Sequence, residues 1–323
     1  MKLSVVVPCY NEEAVLESLL EVLAHELGAI TSDYEVVLVD DGSRDGTLMK
    51  LRAAWRHDPR FRYLALSRNF GKESAMLAGL TETTGDAVAI IDADLQHPPR
   101  LIAEMLALVN EGYDQVVAHR TRTGDGAVRT LASRIYYRFV NHLTDVKIED
   151  GVGDFRILSR TAVSAVLTLP EYNRFSKGLF SWIGFDTASI KYENVAREAG
   201  ETKWRMRDLF NYGIDSVISF NSRPLRTAIH FGVLASGLAF AYAFWVVIDA
   251  ITRGNAVPGY VTTIVAVVGF GGLQMILLGV IGEYLGHIYA ETKARPHFLI
   301  KERSEGASNP FSVAASGPQP SSL

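Results

Sequence analysis

Two long apolar stretches near the C-terminus constrain this chain more than any other feature. The first, from Thr227 to Ile248, holds one histidine and no Asp, Glu, Lys or Arg. The second, from Tyr260 to Gly282, has no ionisable side chain except that of Tyr260. At a rise of about 1.5 Å per residue, each stretch would form a helix about 33–35 Å long, enough to cross a hydrocarbon core of about 30 Å. We therefore predict a transmembrane hairpin.

The distribution of charge predicts the orientation of this hairpin. We place its helices at about 227–251 and 259–283. The connection between them carries one arginine and one aspartate, whereas basic residues flank the hairpin on its outer sides: Arg223, Arg226, Lys293, Arg295, Lys301 and Arg303. Because such residues are enriched on the cytoplasmic side, we expect an integral protein of the cytoplasmic (inner) membrane with both termini in the cytosol. The alternative, two buried helices of a soluble domain, explains the length and lack of charge less well.

The N-terminal part of the chain alternates strand and helix patterns. The predicted strands are uninterrupted apolar runs, which suit a parallel sheet covered on both faces. They lie at Leu3–Val7, Tyr34–Val39, Phe61–Leu66, Ala87–Ile91 and Gln115–Ala118, separated by helices at Glu12–Leu27, Thr47–Trp55, Lys72–Thr83 and Pro99–Asn110. This alternation predicts an α/β fold with an open, doubly wound, mostly parallel sheet whose site lies at the carboxyl ends of the strands.

Charge and cysteine content narrow the range of partners. The net charge of −4 gives no reason to expect binding to nucleic acid. The single cysteine, Cys9, follows an apolar run, which predicts a small buried side chain rather than a reactive thiol. One cysteine cannot form an internal disulfide, which is consistent with a head that faces the cytosol.

Two amphipathic segments lie between the predicted sheet and the hairpin. In 127–143 the apolar side chains share one helical face while arginines occupy other positions, and 202–220 carries an apolar stripe that leads into the first span. Such helices can lie on a membrane surface or pack against a protein core. We favour the membrane surface for the second segment and leave both interpretations open for the first.

The expected organisation therefore has four parts. A cytosolic head covers 1–200, an amphipathic interfacial helix 201–225, two transmembrane helices 226–290 and a cytosolic tail 291–323. The tail beyond residue 304 is rich in Ser, Ala, Gly and Pro and is expected to be disordered.

Acidic clusters follow two of the predicted strands. Asp92-Ala93-Asp94 comes where the fourth strand ends, and two carboxylates so placed can bind a hard divalent cation together with a diphosphate. The polar turn that follows, residues 95–99, contains Gln96 and could add a ligand. Asp40 and Asp41 follow the second strand, where a carboxylate could accept hydrogen bonds from a base or a ribose, or form an Asx turn before the next helix.

Basic residues form a second group of candidates. The turn 67–72 ends at Lys72 and precedes a helix, so it suits an anion, although a solvated loop explains it equally well. A cationic cluster begins with His119 and contains arginines whose planar groups suit phosphate oxygens: Arg120, Arg122, Arg129 and Arg134. Farther along, Gly153–Arg156 and Gly200–Trp204 are predicted from their local sequence to be turns. In these segments Asp154 could orient an acceptor, Arg156 could bind a phosphate, and Lys203 could reach a diphosphate.

Six motifs, taken in order, resemble the family-2 inverting glycosyltransferases with a GT-A fold, and among them the polyprenyl-phosphate glycosyltransferases. They are Val5–Glu13, Val39–Ser43, Ser67–Lys72, Asp92–Pro99, Gly153–Arg156 and Gly200–Trp204. The resemblance covers about residues 1–300. It implies transfer of a sugar, with glucose as the first expectation, from a UDP-sugar to a membrane polyprenyl phosphate, with Mg²⁺ or Mn²⁺ as cofactor.

The resemblance also implies roles for individual residues. The nucleotide sugar would be held by Pro8, Tyr10, Glu12, Asp41, Lys72, Asp92 and Lys203, and the metal by Asp92, Asp94 and Gln96. The lipid phosphate would be bound among Arg120, Arg122, Arg129, Arg134 and Arg156. The catalytic candidates are Asp94 and Asp154, the latter at the position of the family's base. An acceptor phosphate monoester is already anionic near pH 7, since its second pKa is about 6, so we expect Asp154 to orient the acceptor rather than deprotonate it.

Two other functions remain open from the sequence. A processive polysaccharide synthase of the same family would usually carry more spans and a Gln-x-x-Arg-Trp motif, and Lys203-Trp204-Arg205 does not match that pattern. A non-catalytic membrane adaptor could bind a nucleotide without turning it over. Glycines in the second span, at 269, 271, 272, 279 and 282, permit close helix packing and hence a homo-oligomer.

Overall fold

The computed structural model describes residues 1–120, 152–192 and 259–304, together with part of 232–252. Eight strands are found: β1 (Leu3–Cys9), β2 (Tyr34–Asp40), β3 (Phe61–Leu66), β4 (Ala87–Ile90), β5 (Gln115–Arg120), β6 (Val152–Ser159), β7 (Thr187–Tyr192) and β8 (Ile300–Arg303). The helices with defined bounds are α1 (Leu16–Ile30), α2 (Thr47–His57), α3 (Lys72–Glu82), α4 (Leu101–Asn110), α5 (Arg160–Leu167), α6 (Ser176–Trp182) and α7 (Tyr260–Thr292).

The strands form one sheet in the order β7-β5-β6-β4-β1-β2-β3-β8. Strand β1 pairs in parallel with β2 and β4, β2 in parallel with β3, and β5 in parallel with β7. Strand β6 lies antiparallel between β4 and β5, and β8 lies antiparallel to β3. The predicted α/β fold with a mostly parallel sheet is confirmed, and β6, β7 and β8 are additions that the sequence did not predict.

Helices cover both faces of the central strands. On one face, α1 presents leucines at helical spacing, and all four are completely buried: Leu16, Leu19, Leu23 and Leu27. Other buried side chains from α3, α5 and α6 form a cluster on the opposite face of β1, β4 and β6. Full burial of one such side chain contributes about 1.5–3 kcal/mol. Burial on two faces explains why β1 and β2 are continuous apolar runs.

Two helices begin later than predicted. Helix α1 begins at Leu16 rather than Glu12, because the residues before it form a loop in which the Glu12 backbone N–H donates to Thr47 Oγ1 (2.9 Å). Helix α4 begins at Leu101 rather than Pro99. The residues between β1 and α1 therefore form a loop at the edge of the sheet where the candidate functional residues lie.

The segment Gly153–Arg156 is not the turn predicted from its local sequence. It lies in β6, with Ile90 of β4 and Val117 of β5 both paired to Arg156. Glycine and aspartate are poor strand formers, so the local pattern was misleading. Hydrogen bonds to the strands on both sides, β4 and β5, satisfy the backbone groups of this segment. This pairing overrides the weak local preference of its residues for a turn.

Part of the predicted tail is ordered and returns to the sheet. Strand β8 pairs with the edge strand β3, and Glu302 fixes it there by accepting hydrogen bonds from Arg52 Nε (2.9 Å) and from the Tyr63 hydroxyl (2.6 Å). Pairing with β8 covers an edge that would otherwise expose unpaired backbone groups. Residues beyond 304, where disorder was predicted, lie outside the described part of the chain.

Helix α7 corresponds to the second predicted span but is longer, with 33 residues. Its segment Gly269–Thr292 is long and apolar enough to cross a membrane, and it is the one helix that meets this criterion among the residues the structure describes. Large apolar side chains along it are exposed, including Phe270, Met275 and Leu285. The first predicted span is described only in part, and those residues are helical. The amphipathic segments 127–143 and 202–220 lie outside the described residues.

Candidate active site

The candidate site lies at the edge of the sheet where the parallel strands end. Strand β6 runs antiparallel to β4, with Ile90 paired to Arg156. Asp92 follows Ile90 by two residues and Asp154 precedes Arg156 by two, so the two carboxylates meet at the same edge. The antiparallel insertion of β6 therefore brings together two acidic groups that are far apart in the sequence.

Lys72 joins these two carboxylates. It is the first residue of α3, and its Nζ lies 2.5 Å from Asp92 Oδ1 and 2.5 Å from Asp154 Oδ2. Burial alone would raise the pKa of each aspartate, but the Lys72 ammonium outweighs it, so both pKa values lie below their ordinary range. Burial would lower the pKa of Lys72, yet the two carboxylates raise it overall. All three groups are charged at neutral pH.

His97 holds the other side of the Asp92 carboxylate. Its Nε2 lies 3.5 Å from Asp92 Oδ2, and its Nδ1 lies 2.6 Å from the Tyr192 hydroxyl. The ring also packs against Phe155, with centroids 5.3 Å apart. Asp92 is therefore oriented by Lys72 through one oxygen and by His97 through the other. The contribution of Tyr192 was not predicted from the sequence.

Asp94 and Gln96 lie in the turn that follows β4. The Gln96 backbone N–H donates to Asp94 Oδ1 (3.2 Å), and Leu95 between them has a positive φ of 55°. Within the described part of the chain, no group of three or more His, Cys, Asp or Glu side chains is arranged to hold a metal ion. Two carboxylates and an amide oxygen are nevertheless the ligand types that Mg²⁺ accepts when a substrate phosphate and water complete its shell. The residues present fit a shared metal–diphosphate site.

The loop after β1 is locked to the loop after β2. The Asn11 backbone N–H donates to Ser43 Oγ (3.0 Å), the Arg44 backbone N–H donates to Asn11 Oδ1 (2.8 Å), and Asn11 itself has a φ of 54°. These bonds fix the backbone around Tyr10 and Glu12, while Pro8 lies within β1. All three predicted nucleotide-binding residues from this motif are thus gathered at the same edge of the sheet.

Asp41 is committed to the neighbouring loop. It is 3% exposed, and its two carboxylate oxygens accept hydrogen bonds from the backbone N–H groups of Phe70 (2.7 Å) and Gly71 (2.9 Å). Burial raises its pKa above the ordinary value. Gly42 has a φ of 68° and lies so close to this loop that an added Cβ would be 2.4 Å from the Arg68 carbonyl carbon. Asp41 therefore positions the turn that carries Lys72.

Two other aspartates in this region bond to nearby backbone groups. Asp40 Oδ1 accepts a hydrogen bond from the Ser43 backbone N–H (3.2 Å), three residues farther along the chain. Asp45 Oδ1 accepts from the Thr47 backbone N–H (3.0 Å) at the start of α2.

The structure corrects the expectation for Arg156. This residue is 2% exposed, and its guanidinium carbon lies 4.0 Å from the centre of the Phe180 ring. It donates to Gln115 Oε1 (3.3 Å) and to the Gly153 carbonyl (2.8 Å). Burial lowers its pKa to about 10. In this position Arg156 braces β6 and α6 and is not accessible to a lipid phosphate.

The remaining predicted cations are not described in enough detail to place. Arg120 ends β5, but its side chain is not described. Arg122, Arg129, Arg134 and Lys203 lie outside the described residues.

Besides Tyr192, three further residues at the site were not singled out from the sequence. Glu73 Oε2 accepts hydrogen bonds from the Ser176 backbone N–H (3.1 Å) and from the Ser176 hydroxyl. Burial and repulsion by Asp154 raise the pKa of Glu73 to about 7. Lys177, the next residue on α6, is half-buried and helps Lys72 to hold the pKa of Asp154 down. A Ser-Lys pair after a loop is too common a sequence to have indicated a site.

Comparison with known proteins identifies the class. Residues 4–167 match the model of a family described as Glycosyl transferase family 2, and residues 223–288 match one described as GtrB C-terminal hairpin. The first match covers half of the chain, and the second supports the predicted hairpin. The protein belongs to glycosyl transferase family 2, so the resemblance that the six motifs indicated is confirmed.

Several relatives align over nearly the whole chain. A Bacillus subtilis protein that carries the name glycosyltransferase CsbB is 49% identical, over 93% of this chain and 91% of its own. The bactoprenol glucosyl transferase of Shigella phage SfX is 40% identical, over 94% of this chain and all of its own length (100%). Among solved structures, the mannosyl-3-phosphoglycerate synthase of Rubrobacter xylanophilus matches with a TM-score of 0.46 and 21% identity, over 70% of this chain and 74% of that one.

Proposed function

We propose that this glycosyltransferase moves a sugar, with glucose as the first choice, from a UDP-sugar to a membrane polyprenyl phosphate, with inversion at the anomeric carbon. The observation that carries the proposal is the cluster of Asp92, Lys72 and Asp154 at the carboxyl edge of the sheet. The names of the relatives, which include several bactoprenol glucosyl transferases, support the choice of acceptor and sugar.

The donor would bind across the ends of β1 and β4. Pro8, Tyr10 and Glu12 lie beside the fixed loop after β1, where they can contact the nucleotide. Asp92, Asp94 and Gln96 would hold Mg²⁺ or Mn²⁺, which would supply positive charge against the departing diphosphate. Lys72 adds a cation at the same place, and its ammonium can stabilise the negative charge that develops on the departing diphosphate.

The acceptor would approach from the side of β6. An oxygen of the polyprenyl phosphate attacks the anomeric carbon and forms the new C–O bond, while the bond from that carbon to the diphosphate oxygen breaks and UDP leaves. Asp154 is ionised by its contact with Lys72 and can orient the sugar or stabilise positive charge on its ring. The acceptor needs alignment rather than deprotonation. Arg120, Arg122, Arg129 and Arg134 remain proposed ligands of the lipid phosphate.

The membrane arrangement is part of the same proposal. We infer two spans, with the head and both termini in the cytosol, an interfacial helix at 201–225 and a head that ends near residue 200. Helix α7 is followed closely by β8, which pairs with β3, so the chain leaves its membrane helix and rejoins the head directly. A head held at the bilayer would encounter the lipid phosphate by diffusion within the plane of the membrane.

A donor screen tests the proposal. The purified full-length chain is incubated with Mn²⁺, a long-chain polyprenyl phosphate and one of several radiolabelled nucleotide sugars, and the lipid is then extracted. The proposal expects organic-phase label with one donor, UDP-glucose before the others. Nucleotide-sugar binding without any labelled lipid would instead indicate an adaptor, and label in a polymer would indicate a processive synthase.

A further inference from the structure

Lys177 stands out among the cations around Asp154. The site contains an excess of acidic groups, whereas the acceptor of the proposed reaction is itself an anion. A phosphate that approaches Asp154 therefore needs a cation that is close by and not already neutralised.

The other described cations in this region are engaged. The ammonium of Lys72 lies between two carboxylates. The guanidinium of Arg156 is stacked on Phe180 and bonded to main-chain and side-chain oxygens. Arg174 donates to the carbonyls of Leu169 (2.8 Å) and Val166 (3.4 Å). Each of these side chains already contacts protein groups, and none of them is assigned to the acceptor phosphate.

The ammonium of Lys177 has no hydrogen-bond partner among the residues that the structure describes, although the side chain is half-buried. It is close enough to Asp154 to favour the ionised carboxylate. Its backbone position is fixed twice, because Glu73 binds Ser176 next to it and Arg156 packs on Phe180 three residues later. The backbone that carries Lys177 is thus fixed by contacts that do not use the ammonium itself.

The segment before Lys177 is bonded to the C-terminal end of α7. The Tyr172 backbone N–H donates to Glu291 Oε1 (2.7 Å), and Asn173 Nδ2 lies 2.8 Å from His287 Nδ1. The end of the apolar helix and the start of α6 are therefore neighbours. A lipid that lies along α7 with its phosphate at this end would therefore present the phosphate near the start of α6, the helix that carries Lys177.

We propose that Lys177 binds the phosphate of the lipid acceptor and, with Asp154, defines the acceptor side of the site. The inference rests on the proposed function and adds a residue to it. Its chemistry is that of a lysine ammonium donating to phosphate oxygens, which favours a phosphate monoester over the corresponding uncharged alcohol.

The test measures acceptor kinetics and acceptor binding on the full-length chain. In Lys177→Met, we expect the KM for polyprenyl phosphate to rise about tenfold or more while the KM for the UDP-sugar stays within about twofold, the size expected for one charged hydrogen bond. Lys177→Arg keeps the charge and should recover part of the affinity. Lys293→Met, at an exposed lysine just after α7, controls for general loss of positive charge near the lipid.

Binding without a donor gives a second, independent readout. The wild-type chain should bind a fluorescent short-chain polyprenyl phosphate more tightly than the matching polyprenol, and Lys177→Met should lose most of that difference. Unchanged preference for the phosphate in Lys177→Met overturns the inference. If the wild-type chain transfers no sugar to polyprenyl phosphate, the proposed function fails, and this binding comparison still decides whether Lys177 recognises the phosphate.

Discussion

Lys72 occupies the centre of the site because two neighbouring strands deliver a carboxylate to either side of it. Its ammonium lies 2.5 Å from an oxygen of Asp92 and 2.5 Å from an oxygen of Asp154. Without this charge, the two carboxylates would face each other across a partly desolvated gap, where like charges repel strongly. The lysine therefore holds the two carboxylates together, and its ammonium lies beside the expected position of the diphosphate.

Replacing this lysine should lower turnover. In Lys72→Met, we expect kcat to fall about 100-fold, because a fixed charge that stabilises a developing anion is worth this much in comparable sites. The rate is measured as labelled lipid formed per minute at saturating donor and acceptor. Lys2→Met, at a lysine that pairs with Glu35 and lies before the start of β1, at the opposite end of the strand from the site, is the matched control. A kcat for Lys72→Met within about twofold of wild type would contradict the assignment.

Glu73 gives the fold a pH dependence of predictable sign. Its pKa is raised from an ordinary 4.5 to about 7, first by burial and then by repulsion from Asp154. Between these pH values the folded chain binds more protons than the unfolded chain, so stability falls as the pH rises. In Glu73→Gln this pH-dependent loss of stability should be absent. We therefore expect the melting temperature of the variant, relative to that of wild type, to rise from pH 5 to pH 8. A difference between the two melting temperatures that stays constant across this range would contradict the raised pKa.

At the scale of elements, the parts of the site that follow strands were predictable and the parts built by distant pairing were not. The sequence predicted Asp92 and Lys72 at the ends of strands, because apolar runs that stop at polar turns are a local signal. It did not predict β6, because Gly153 and Asp154 are poor strand formers and their partners lie far away in the sequence. The burial of Arg156 depends on Phe180, which belongs to a helix that the sequence analysis did not identify.

Strand β8 is the element whose contribution is easiest to measure. Glu302 accepts from Arg52 and Tyr63, and these bonds lower its pKa to about 2 despite partial burial. We expect Glu302→Gln to destabilise the head by about 1 kcal/mol at pH 7, the size of a partly exposed charged hydrogen bond. The free energy of unfolding is measured with urea. Glu17→Gln, which removes a more exposed ion pair with Lys50, should change the free energy of unfolding less. Equal losses of stability in both variants would count against the proposed role of β8.

At the scale of the whole molecule, the head is connected to α7 at two separate places. Strand β8 follows the helix and pairs with β3, while the loop before α6 is bonded to Glu291 and His287 near the end of the helix. The first of these connections lies at the edge strand β3, and the second leads into α6, where Ser176 bonds to Glu73. Under the proposed function, an apolar helix joined to the head at both places would bring a soluble donor and a lipid acceptor to the same edge of the sheet.

The apolar helix α7 was predictable from the length of its uncharged apolar stretch, which is also the property that suits it to a bilayer. The continuation of α7 to Thr292 was not predictable. Its last turns contain Glu283, His287 and Glu291, which resemble an ordinary polar flank. Only their contacts with Tyr172 and Asn173 show that this flank is part of the interface with the head.

The most direct measurement follows label from UDP-[¹⁴C]glucose into lipid, with the purified full-length chain, Mn²⁺ and a long-chain polyprenyl phosphate, in wild type and in Asp94→Ala. The account predicts labelled polyprenyl-phosphate glucose from wild type, none when Mn²⁺ is chelated, and a loss of at least about 100-fold in Asp94→Ala. Transfer by Asp94→Ala at a rate close to that of wild type would contradict the acidic metal site, and the absence of labelled lipid with every donor would contradict the proposed reaction.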